Sequence, residues 1–143
     1  MARVSTYLNF TGNTEEAFTF YKTVFGTEFE GQIDRMGDVP PSDGQPELSE
    51  ADKNLVMHVM LPITGGHYLM GTDATESMGF HMKQGNNIHI NIEPDTLDET
   101  ERIYKALSEG GVIEMELQKM FWGDYFASFT DKFGVTWMMN CGE

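Results

Sequence analysis

Residues 14–26, TEEAFTFYKTVFG, recur in altered form at residues 97–111, LDETERIYKALSEGG, and this recurrence decides the fold. In the first copy Ala17, Phe20, Tyr21, Val24 and Phe25 share one face at helical spacing. In the second, Leu97, Thr100, Ile103, Tyr104 and Leu107 do the same. Asn13 with Glu16, and Thr96 with Glu99, stand in capping-box position, so each helix has a marked start. Gly26 ends the first and Gly110-Gly111 the second, as residues just past a helix do. Tyr21-Lys22 matches Tyr104-Lys105.

Working outward, each helix is flanked by one strand before and three after. The first set is 4–10, 27–34, 54–61 and 67–73; the second is 87–93, 112–117, 125–130 and 135–140. Asn87–Glu93 (NIHINIE) alternates strictly between polar and apolar residues, the period of a half-buried strand. A βαβββ unit repeated once has structural meaning. The helices are too few for a doubly wound sheet, so the class is α+β. Module one covers about residues 1–74, a linker 75–86, and module two 87–143. Side by side, two such modules are expected to curl a mixed sheet around a cup with the helices outside. Residues 35–53, RMGDVPPSDGQPELSEADK, hold three of the five prolines and read as a surface loop or a functional flap.

Bulk composition removes several function classes. At 143 residues, 40% apolar and 22% charged, the chain can bury a single core. It has no apolar run near the ~20 residues that cross a bilayer, and its first residues, MARVSTYLNF, do not read as a signal peptide. The one cysteine, Cys141, excludes an intrachain disulfide and fits a reducing cytoplasm. Nine basic against twenty-three acidic residues give a net charge of −14, which repels phosphate backbones and anionic membranes. Neither nucleic acid nor a membrane is an expected partner. No phosphate loop, zinc CxxC spacing or Ser-His-Asp arrangement is present.

Two stretches carry a family resemblance over nearly the whole chain. YLNFTGNTEEAFTFYKTVFG (7–26) is similar to the opening of PhnB-like proteins, and IEMELQKMFWGDYFASFTDKFGVTWMMN (113–140) to their end. The second contains Asp131-Lys132-Phe133-Gly134, a turn with Asp first and Gly last. PhnB-like proteins belong to the vicinal-oxygen-chelate superfamily, with glyoxalases, bleomycin-resistance proteins and extradiol dioxygenases. The resemblance implies the paired-module fold, a homodimer and a small-molecule site. Such proteins often carry a 3-demethylubiquinone methyltransferase label. The sequence does not support that chemistry: Gly65-Gly66 lie in a hairpin turn and Gly110-Gly111 follow a helix, whereas the cofactor needs a glycine-rich strand-to-helix turn.

The resemblance also implies four positions for a divalent metal, and these fall on Thr6, a residue near Met70, Asn87 and Met138. None is a good ligand for a catalytic divalent ion. A metal site is therefore disfavoured, and no cofactor is expected. On 87–92 the isoleucines 88, 90 and 92 should face a core, which turns Asn87, His89 and Asn91 into the cup. His89, and His58 on its apolar strand, are the candidate acid–base groups or atypical metal ligands. Leu8, Phe10, Met60, Trp122, Tyr125 and Met138, with Thr6, complete the candidate ligand wall; methionine adapts to varied ligands. The first reading is a protein that binds a small, partly apolar metabolite without metal. An enzyme of lyase, isomerase or oxygenase type is the alternative, and a ligand-free structural dimer the third.

Overall fold

Strand β1 (Thr6–Phe10) leads into helix α1 (Thr14–Phe25), then β2 (Asp34–Arg35), a helical turn α2 (Glu50–Lys53), β3 (Val56–Pro62) and β4 (Tyr68–Asp73). Module two repeats the order as β5 (Ile90–Ile92), α3 (Leu97–Ser108), β6 (Val112–Lys119), β7 (Tyr125–Thr130) and β8 (Thr136–Cys141). The structure is a computed structural model that describes residues 1–40, 44 and 47–142. It divides into Met1–Met82 and Lys83–Glu143, a boundary inside the expected linker. Each unit holds one four-stranded mixed sheet, ordered β1-β4-β3-β2 in the first and β5-β8-β7-β6 in the second. In each, the strand before the helix pairs parallel with the last strand, and the other pairings are antiparallel. Neither sheet closes on itself. The fold is thus the expected α+β repeat.

In module one, α1 packs on β3 and β4. Ala17, Phe18 and Tyr21 are fully buried with Val59, Leu61 and Leu69. Gly71 of β4 lets Phe18 approach: a Cβ there would lie 2.5 Å from the Phe18 ring. Asn13 does not cap α1 with its side chain, contrary to the capping-box expectation. The buried carboxylate of Asp73 does that work from β4, accepting the Gly12 and Thr14 amides and the Thr14 hydroxyl on Oδ1 and the Val56 amide on Oδ2. In module two, Ile103 and Leu107 of α3 are buried with Ala127, Phe129, Trp137 and Met139. Asp131 organises the β7–β8 turn, accepting the Phe133 and Val135 amides and the Trp137 indole N–H.

Several boundaries moved for physical reasons. The strand expected at 27–34 survives only as Asp34–Arg35. Before it the chain makes isolated bonds to β3, Glu30 N–H to Met60 and the Thr27 hydroxyl to Pro62, and turns at Gly31 with φ 73°. β5 starts at Ile90 instead of Asn87, and Ile88 is 75% exposed, so it does not join the core as its alternation implied. Its carbonyl instead accepts the Thr136 hydroxyl. At the end of the 35–53 segment Ser49 caps α2 by accepting the Asp52 amide. The middle of that segment, residues 41–43, 45 and 46, lies outside the described residues.

Candidate functional site

Side chains on a strand alternate between faces, so the buried residues fix which face packs on the helix. In module two Ile92 pairs with Met139 and Ile90 with Trp137, and Phe129 and Ala127 pair with the same two residues of β8. These side chains share the α3 face. The opposite, open face therefore carries His89 and Asn91 beside β5, Met138 and Asn140 on β8, and Phe126 and Ser128 on β7. Met138 pairs with both Asn91 and Ser128, which places it at the middle of that face.

Glu114 joins this set from β6. The β6–β7 register slips between Ile113 and Met115, which makes Glu114 the extra residue of a β-bulge. Its Oε1 lies 3.2 Å from Nε2 of His89 and accepts the Ser128 hydroxyl at 3.1 Å. This bond has a consequence for shape. β5 and β6 are opposite edges of the sheet, and a flat sheet would hold them about 14 Å apart, three strand spacings. His and Glu side chains cannot span that distance and still bond, so the sheet curls and its open face is concave. The His89 side chain is 16% exposed and Glu114 39%, a polar floor reachable from solvent.

An aromatic rim adjoins the floor. Trp122, in the turn that leaves β6, stacks edge-on to Phe126 at 6.2 Å between ring centroids and to Phe121 at 4.9 Å. Gly123 adopts φ 100°, a conformation that bulkier residues avoid, and so permits the turn. At the same end the Asn140 amide donates to Asp124 at 3.0 Å.

Module one has its own open face. β1 pairs with β4 so that Leu8 lies opposite Gly71 and Phe10 opposite Asp73, on the helix side. Thr6, Leu8 and Phe10 therefore point toward α1, and Phe10 is buried with its ring edge-on to Phe18. The open-face residues of β1 are Tyr7 and Asn9, one position away from the expected ones. Met60 and Met70 pair with each other on that face. The Tyr7 ring lies 6.0 Å from that of His58, and burial raises the Tyr7 hydroxyl above its ordinary pKa, opposed by a hydrogen bond with Thr72. Strand register makes Leu8 the counterpart of Ile92, because Gly71 and Met139, their partners, hold the same place in β4 and β8. Tyr7 then stands where module two has Asn91, and Met70 where it has Met138.

Of the residues expected to line a cup, His89, Asn91, Trp122 and Met138 come together in module two, and His58 and Met60 share the open face of module one. Asn87 is exposed before β5 begins, and Tyr125 lies opposite Cys141 on the helix-side face of its strand. Glu114, Ser128 and Phe126, and Tyr7 and Thr72, belong to the open faces although sequence reasoning had not singled them out for a site.

The divalent metal that the resemblance implies can be tested against these donors. The Thr6 hydroxyl is engaged with His67 at 2.8 Å, and Met70 and Met138 offer only thioethers. Among the described residues no three His, Cys, Asp or Glu side chains converge on one point. His89 and Glu114 alone fall short of the three protein ligands a catalytic zinc-type ion takes. The donor set does not fit the group.

Comparison with known proteins agrees with the geometry. The description "Glyoxalase/Bleomycin resistance protein/Dioxygenase superfamily" matches residues 3–139. The chain is 28% identical to Protein YjdN of Escherichia coli over 142 residues, 96% of this chain and 93% of that one. It resembles the crystal structure of protein PA1353 from Pseudomonas aeruginosa with a TM-score of 0.81 and 34% identity, covering 99% and 98% of the two chains. A PhnB protein from Bacillus cereus, which carries the 3-demethylubiquinone-9 3-methyltransferase label, shares the fold with a TM-score of 0.75 at 23% identity, covering 98% and 99%. Among the described residues no helix is long and apolar enough to cross a membrane. With its two βαβββ modules and a profile match across nearly its full length, the chain belongs to the glyoxalase/bleomycin resistance protein/dioxygenase superfamily.

Proposed function

We propose that the protein binds a small, partly apolar metabolite on the concave face of module two, without the divalent metal of its superfamily's enzymes. The observation that carries this reading is the side-by-side placement of a hydrogen-bonding floor, His89, Glu114, Ser128 and Asn91, and an apolar wall, Trp122, Phe126 and Met138. Small-molecule sites combine these two features, apolar area for affinity and a few fixed polar groups for orientation. Part of the same reading is a homodimer: β6 is an outer strand whose Val112, Ile113 and Met115 are exposed.

Melting curves of chelator-treated protein against a panel of planar apolar metabolites test the proposal. A ligand-dependent rise in Tm without metal supports it. Near-stoichiometric metal in untagged protein, with a Tm that climbs on adding zinc, nickel, manganese or iron(II), refutes it and makes His89 and Glu114 ligands.

A second reading, a metabolite enzyme, is favoured by one specific contact. Glu114 accepts from Nε2 of His89, which leaves Nδ1 of the neutral ring as an acceptor, the arrangement that suits a general base. His89→Ala should then abolish turnover while leaving the melting curve in place; unchanged turnover ends that role.

A further inference from the structure

We propose that the concave face of module two selects a neutral or cationic molecule that donates a hydrogen bond, a hydroxyl or amine on a ring-sized apolar body, and rejects oxyanions. The inference rests on the ligand-binding reading above and narrows it to a chemical class. Its first support is the direction of the hydrogen bonds. A carboxylate accepts and does not donate, so in the His89–Glu114 contact Nε2 is the donor. The neutral imidazole in that tautomer offers Nδ1 as an acceptor, and Nδ1 has no partner among the described residues. Glu114 is turned the same way. Its Oε1 already takes both His89 and Ser128, and Oε2 has no partner among the described residues. The Ser128 hydroxyl spends its proton on Glu114, so the His89–Glu114–Ser128 cluster presents acceptors, with the Asn91 amide beside it able to donate or accept.

The second support is charge. Asp124, bonded to Asn140, adds another carboxylate at the Trp122 end. Lys119 is the only lysine or arginine in β5–β8, and it pairs with Tyr125 on the helix-side face. Of the other cations of this unit, Arg102 is engaged with Glu99 along α3, Lys132 lies over the Phe133 ring in the β7–β8 turn, Lys105 belongs to α3 and Lys83 to the segment before β5. A carboxylate, phosphate or phosphonate on this floor would meet lone pairs and negative charge with no lysine or arginine on the open face of β5–β8 to offset its lost hydration. The chain's net charge of −14 acts in the same sense at longer range. A phenol, alcohol or amine would instead complete the two open acceptors, while its apolar body contacts Trp122, Phe126 and Met138.

Four probes that share a benzene ring test this: phenol, benzylamine, benzoate and phenylphosphonate. Binding is read from Trp122 fluorescence and from Tm; the other tryptophan, Trp137, is fully buried on the opposite face. Phenol or benzylamine should bind at least about ten-fold more tightly than either anion, a difference of ~1.4 kcal/mol. Glu114→Gln, whose amide can turn a donor toward the ligand, should shrink that preference. His89→Phe, which keeps the carboxylate, should weaken phenol, and it serves as the test should Glu114→Gln fail to fold. An anion that binds as tightly as phenol, or a preference that Glu114→Gln leaves unchanged, overturns the inference while the ligand-binding reading stands. If none of the four probes moves the fluorescence or the Tm, both fall together.

Discussion

The carboxylate of Asp73 lies 2.6 Å from the Thr14 hydroxyl and 3.1 Å from the Thr14 amide, so α1 begins on a cap supplied by the last strand of its own module. The same group accepts the Val56 amide at 2.8 Å, tying helix, β3 and β4 through one buried side chain. Asp73→Ala leaves the buried Thr14 amide and hydroxyl and the buried Val56 amide without their acceptor. Each orphaned buried donor costs about 1–3 kcal/mol, so a loss of roughly 3 kcal/mol or more is expected. Urea unfolding measures it, and a change below the error of extrapolation would contradict the cap.

Trp137 plays the matching part in module two. Its indole N–H donates to Asp131 at 2.8 Å, and the ring is fully buried beneath α3. Trp137→Phe keeps most of the apolar volume and removes the donor to a carboxylate, a bond worth about 1.5–3 kcal/mol. The variant should lose stability on that scale. It should also keep its ligand response, because the ring faces away from the concave side; a lost response would move the site.

The repeat was legible because helical spacing and terminal glycines are local signals. TEEAFTFYKTVFG and LDETERIYKALSEGG became α1 and α3 within a residue or two. The caps divide instructively. Thr96 accepts the Glu99 amide as expected, whereas Asn13 is displaced by Asp73, a partner that only the folded sheet brings near. His89 and Asn91 were readable from alternation alone. Counting from helix to strand failed for β1 because one residue exchanges the two faces, so Tyr7 and Asn9 took the places given to Thr6, Leu8 and Phe10. Glu114 looked like an ordinary solvent-facing acid of an alternating strand. A bulge and the curl of the sheet bring it to His89, and neither leaves a mark at that position in the sequence.

Arg35 holds Glu15 through paired contacts at 3.0 Å, which lowers the Glu15 pKa chiefly by hydrogen bonding and secondarily by charge. A carboxyl group whose folded pKa is depressed stabilises the fold above its unfolded pKa and loses that contribution as pH falls through the folded one. Wild type should therefore exceed Glu15→Gln in stability at neutral pH and match it in strong acid. Both side chains are substantially exposed, so the difference should stay below about 1 kcal/mol. Paired denaturation curves from neutral pH into acid measure it, and a gap that persists at low pH would assign the effect to something other than ionisation.

Tyr7 gives the last test, on the open face of module one, where strand register gives it the place of Asn91. Burial raises its pKa, and the Thr72 hydrogen bond partly offsets the rise. The neutral phenol is thus the form the fold prefers. Its stabilising contribution is complete below the unfolded tyrosine value of about 10 and is lost as pH climbs through the higher folded value. Tyrosinate absorbance near 295 nm should show one late-titrating group in wild type that Tyr7→Phe deletes. Thr72→Val removes the contact that favours ionisation, so the same group should titrate later still. If Thr72→Val moves it earlier, the hydrogen bond is stabilising the neutral phenol, which then donates its proton to Thr72 and faces a ligand with its oxygen as an acceptor.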